Sequence, residues 1–90
     1  MSALLRNLGL AIRQIREDRN LSQERLAEMA GLHRTYVSSV ERGHRNVSIE
    51  NIHKIAKALG VSMTEVIQLC EDRLDRTKST QVPTKRTANG

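Results

Sequence analysis

The sequence predicts an all-α chain of five short helices in one domain. Three observations predict it. The strict polar–apolar alternation of a half-buried strand is absent along all 90 residues. Apolar residues recur instead at three- and four-residue spacing in five separate segments. Between the segments stand residues that start and stop helices: Ser22, Ser48 and Ser62 before them, and Asn20, Gly31, Gly43 and Gly60 after them.

The first helix is expected from about Ala3 to Arg19, with Leu4, Leu8, Ala11, Ile12 and Ile15 on one face. Asn20 takes the left-handed conformation that ends a helix, and Leu21 folds back onto the last turn. The second helix runs from Gln23 to Ala30. Ser22 caps it, and Glu24 lies in the first turn, where the helix dipole favours a negative charge. Leu26, Ala27 and Ala30 form its inner face, and Gly31 stops it. The third runs from Arg34 to Arg42 and ends at Gly43. The fourth, Ile49 to Leu59, lies between Ser48 and Gly60 and turns Ile52, Ile55, Ala56 and Leu59 inward. The fifth begins at Ser62, which forms an S-x-x-E capping box with Glu65. Met63, Val66, Ile67, Cys70 and Leu74 continue its apolar stripe, and the helix frays between Asp75 and Lys78. The domain is therefore expected over residues 1–74. Residues 75–90 are polar, hold the only proline, show no periodicity, and read as a disordered basic tail.

Composition bounds this fold. With no Trp, no Phe and one Tyr, the core must be Leu, Ile, Val, Ala and Met. A domain this small buries only about 60% of the surface its unfolded chain exposes, so a second copy would add burial that one chain lacks. The single cysteine, Cys70, excludes an intramolecular disulfide and fits a reducing cytosol. No apolar run reaches the about 20 residues of a membrane span, so a cytoplasmic, membrane-free protein is expected. The net charge of +5 invites a nucleic-acid partner. Residues 1–74 carry 11 basic against 9 acidic side chains, and residues 75–90 carry 4 against 1. Most of the excess is in the tail, so the placement of the arginines in the folded part matters more than their number.

The second and third helices are joined by Gly31, Leu32 and His33, a three-residue turn containing glycine, as a helix-turn-helix over residues 23–42 requires. Gly31 supplies a positive φ without steric cost. Ala27 is small enough for the third helix to cross closely, Leu32 plugs the corner, and Val37 and Val40 face the second helix. At 100° per residue, Thr35, Ser39 and Arg42 then point outward, with Ser38 beside them and Arg34 and Tyr36 on the flanks. Arg34 suits a bidentate contact to a guanine edge, and Thr35 a base hydrogen bond or a thymine methyl. Arg42, His44, Arg45 and Asn46 follow, in place to hold phosphates. Tyr36 either stacks on the sugar–phosphate backbone or covers the second helix. A surface helix with ordinary polar side chains would share any one of these features; the set as a whole, with no outward carboxylate, points to DNA recognition.

The run SQERLAEMAGLHRTYVSSVERG resembles the helix-turn-helix of the Cro/C1-type repressors, also called the XRE family. The resemblance continues through RNVSIENIHKIAKALGVSMTEV and covers about residues 10–67. Within the family, RTYVSSVERGHRNVS is similar to the controller proteins of restriction–modification systems. The resemblance implies a five-helix, lambda-repressor-like DNA-binding domain that regulates transcription; a homodimer on a near-palindromic operator is expected because the core is small and one short recognition helix contacts too few bases. It implies base-reading positions at His33, Arg34, Thr35, Ser38 and Ser39, a phosphate contact at Gln23, and a backbone contact at Arg45. It also implies an ion pair between Arg16 and Glu41, tying the first helix to the third. His33 departs from the family pattern, which more often has Ser, Asp or Thr there. Histidine caps poorly, so it either faces DNA or weakens the helix start.

The expected partners are double-stranded DNA and a second copy of the chain. Val66, Leu69, Arg73 and Leu74 are the candidate two-fold interface. No cofactor or small-molecule ligand is indicated. His33, His44, His53 and Cys70 lack zinc-site spacing, and no serine or histidine lies in a catalytic motif, so neither a metal centre nor an enzyme is expected. The other functional reading is an antitoxin, or another partner-binding module that also binds DNA.

Overall fold

The computed structural model describes residues 2–77, and among them there are five helices and no strand. They are α1 (Ala3–Asp18), α2 (Gln23–Ala30), α3 (Arg34–Glu41), α4 (Ile49–Leu59) and α5 (Met63–Thr77). α1 packs against α5 and α3, α2 against α3 and α4, and α4 against α5. The helices so close around one core, in which Ile12, Leu26, Val37, Val40, Ile55, Leu59, Val66 and Cys70 are fully buried.

Serines start four of the five helices, α3 being the exception with His33 before it. The hydroxyls of Ser22 and Ser48 accept the N–H groups of Arg25 and Asn51, and Ser2 does the same for Leu5 at the head of α1. At α5 the capping box is reciprocal: Glu65 N–H donates to Ser62 Oγ at 3.0 Å, and Ser62 N–H donates to Glu65 Oε1 at 2.9 Å. The ends of α1 to α4 share one closing device. Asn20, Gly31, Gly43 and Gly60 have positive φ, and the next residue donates its N–H back to the last turn. Leu21 bonds to the Arg16 carbonyl, Leu32 to Ala27, His44 to Ser39 and Val61 to Ala56.

The boundaries differ slightly from those the sequence suggests. Arg19 and Arg42 are C-caps rather than helical residues. α5 continues to Thr77, three residues past the expected domain end, and the rest of the tail, residues 78–90, lies outside the described residues. Leu4 and Ile67, assigned to inner faces, are exposed at 55% and 37%. Only the backbone of Leu4 turns inward, where its carbonyl accepts from the Cys70 thiol at 3.8 Å. In α5 the buried line is Val66 and Cys70, one turn apart, with Met63, Leu69 and Leu74 packed beside it. The helix therefore leans toward Leu69 and leaves Ile67 outside. Burial, helped by Glu71, raises the Cys70 thiol above its ordinary pKa.

Two devices set α3 against α1. Gly9 lets the helices meet: a Cβ there would run into the carbonyl oxygens of Val40 and Glu41. The second is a buried ion pair. Arg16 grips the Glu41 carboxylate with two bonds, Nε to Oε2 at 2.7 Å and Nη2 to Oε1 at 3.0 Å. Its Nη1 donates to the Leu21 carbonyl at 2.7 Å, and Gln23 Nε2 donates to Glu41 Oε1 at 2.9 Å. The bond to Glu41 raises the Arg16 pKa, against the opposing pull of desolvation. A raised arginine pKa keeps its contribution to stability complete at every pH near neutrality.

Candidate nucleic-acid interface

The inner side of α3 is closed. Val37, Val40 and Glu41 are buried, against α1 and α2. Its outer side and the segment that follows are open. His33, Arg34, Thr35, Arg42, His44, Arg45 and Asn46 are exposed, and Ser38 and Ser39 are half-buried. Between Leu32 and Ser48 the one carboxylate is Glu41. It is 4% exposed and already bound by Arg16 and Gln23. The outward surface therefore carries three guanidinium groups with no acid of its own stretch to neutralise them.

The side chains sort into free and engaged groups. Arg34 and Thr35 have no side-chain partner among the described residues. His33 is the N-cap of α3 but makes no side-chain cap bond, so its imidazole is free on the outward side. Arg42 Nη1 donates to Ser38 Oγ at 2.6 Å, which leaves the hydroxyl proton of Ser38 to point elsewhere. Gln23 spends one amide N–H on Glu41 and keeps the other. Tyr36 fits neither sequence reading cleanly. Its hydroxyl accepts from Asn51 Nδ2 at 3.0 Å, so it bridges α3 to α4, and the Arg45 guanidinium lies over its ring at 5.2 Å from the centroid.

Asn51 escaped the sequence reading. Its partner is 15 residues away, and the pairing depends on how α4 docks, so no local pattern could reveal it. Gly9 was missed for the same reason. One member of the expected two-fold interface is also corrected. Val66 is fully buried within the protomer and offers no atom to an outer surface. Leu69, Arg73 and Leu74 are half-buried on α5. Among the described residues no group of three His, Cys, Asp or Glu side chains can hold a metal, and no helix is long and apolar enough to cross a membrane.

A short helix crosses a second one at a glycine turn, buries two valines and turns a polar, cationic face outward. This is the geometry of a helix-turn-helix DNA-binding regulator. The helix-turn-helix family profile matches residues 12–66, and the chain belongs to that family, in its Cro/C1 (XRE) branch. It is 55% identical over 60 residues to Control protein C.BamHI of Bacillus amyloliquefaciens, a match covering 66% of this chain and 74% of that protein. It is 50% identical over 56 residues to Control protein C.SmaI of Serratia marcescens, covering 62% and 67%. The crystal structure of the restriction–modification controller protein C.AhdI from Aeromonas hydrophila superposes with a TM-score of 0.72 at 48% identity, covering 72% of this chain and 98% of that one. Wild-type controller protein C.Esp1396I superposes with a TM-score of 0.78 at 33% identity, covering 84% and 99%. The chain is a transcriptional regulator with a helix-turn-helix DNA-binding domain, close to restriction–modification controller proteins.

Proposed function

We propose that the chain binds a near-palindromic operator as a homodimer and controls the genes of a restriction–modification system. α3 enters the major groove, and the chain catalyses no reaction. The observation that carries this reading is the outward face of α3, where arginines stand without protein counter-ions. Arg34, Thr35, His33, Ser38 and Ser39 read base edges. Gln23, Tyr36, Arg42, Arg45 and Asn46 hold the backbone and fix the register. An eight-residue helix is only about 12 Å long and reaches few base pairs, which argues for two copies. In the dimer the two α3 helices lie about 34–36 Å apart, one turn of DNA. Leu69, Arg73 and Leu74 on α5 form the two-fold contact. The likeness to controller proteins supports the biological setting.

Selection of bound duplexes from a random pool tests this directly. The expected result is an enriched near-palindrome whose half-sites lie one helical turn apart, bound cooperatively by a species that sediments as a dimer. A pool that shows no enrichment overturns sequence-specific binding. A monomer at micromolar concentration with non-cooperative binding overturns the dimer.

A further inference from the structure

We infer that Asn51, in the first turn of α4, is a positioning residue that makes Tyr36 and Arg45 into one contact for a DNA phosphate. The inference rests on the DNA-binding reading above and deepens it.

Asn51 Nδ2 donates to the Tyr36 hydroxyl oxygen at 3.0 Å. A phenol that accepts from an amide keeps its own proton, which is then available to another acceptor. The ring is thus tethered at its root on α3 and at its tip on α4. Its face carries the Arg45 guanidinium, 5.2 Å from the centroid. Arg45 is exposed and has no carboxylate partner among the described residues. A free arginine samples many rotamers, and the ring under it narrows that choice before any ligand arrives. Asn51 is itself fixed. Its backbone N–H donates to Ser48 Oγ at 3.1 Å, and the next residue, Ile52, is buried in the core. A line of fixed groups therefore runs from the core through α4 and Tyr36 to Arg45.

The line ends in two donors, a phenol O–H and a guanidinium, and among the described residues no carboxylate pairs with the guanidinium. That pairing suits a phosphodiester oxygen, which accepts from both. It carries no base information, so its contribution should be the same on any DNA sequence.

The test uses the full-length chain and a fluorescein-labelled 30-base-pair duplex of random sequence, with anisotropy measured over a range of salt concentrations. Asn51→Ala and Tyr36→Phe should each weaken binding by about ten-fold. The double variant should be no weaker than either single one, because both break the same line. The salt slope of Asn51→Ala should fall toward that of Arg45→Ala, by about one counter-ion, while its thermal midpoint stays near that of the parent. A merely structural role for Asn51 would lower the midpoint and leave the slope alone. Wild-type affinity and slope in Asn51→Ala, or losses that multiply in the double variant, overturn the inference. If Asn51→Ala loses its fold, Tyr36→Phe decides the matter, since it keeps the ring and removes only the hydroxyl; unchanged binding there is equally fatal. Failure of the unaltered chain to bind the duplex at low salt overturns the DNA-binding reading itself.

Discussion

Arg16, on α1 against the C-terminal end of α3, and Arg34, at the N-terminal end of α3, are used in opposite ways. Arg16 is 8% exposed, and its guanidinium is satisfied by Glu41 and the Leu21 carbonyl. Arg34 is exposed and has no partner among the described residues. On the inner side every charge has its counter-ion within the chain, because an unpaired buried charge would be prohibitive. On the outer side no carboxylate partner is present among the described residues, which costs little in water and is what the proposed DNA contact requires. The lesson is that inner substitutions act on stability and outer ones on affinity, with little crossing between them.

The largest expected effect tests the inner side. Glu41→Gln leaves Arg16 buried beside a neutral group and should cost about 3–5 kcal/mol of stability. In a domain of this size that lowers the thermal midpoint by more than about 10 °C, measurable by circular dichroism. An unchanged midpoint would mean that the pair is ornamental and the contrast false. Next comes Gly9→Ala, which forces α1 away from the end of α3 and should cost about 1–3 kcal/mol by denaturant titration. The smallest structural effect belongs to the outer side. Arg34→Ala should leave stability within about 0.5 kcal/mol of the parent. It should weaken the selected operator by about 1–3 kcal/mol and relax the choice at one base pair. Arg45→Ala should weaken all sequences alike and reduce the salt slope by about 1. A large loss of stability in either variant would break the division between the two sides.

Much of this was legible in the sequence because it is locally encoded. The helix stops at Asn20, Gly31, Gly43 and Gly60 are backbone requirements of single positions, and all four have positive φ. The caps at Ser22, Ser48 and Ser62 need only residues three places on. The inward face of α3 follows from its period, and so does the outward one. What sequence reasoning missed depends on how separate segments meet. The Asn51–Tyr36 bond and the Gly9 contact join residues far apart in the chain. Leu4 and Ile67 were assigned inward, and Val66 to an outer contact, because a stripe about 100° wide leaves the tilt of a terminal helix open, and neighbouring helices decide it. The positions given to phosphate and base contacts come from exposure and family likeness.

The grip of Arg16 has one further consequence, for modularity. A single guanidinium spans α1, the turn after it through Leu21, and α3 through Glu41. The two-helix motif over residues 23–42 is therefore not a portable part. Grafted onto another scaffold, it would carry a carboxylate whose partner stayed behind on α1, and α3 would lose the strut that ties it to the first helix. A designer seeking new specificity in this chain is better served by exchanging only the outward side chains and leaving the frame whole.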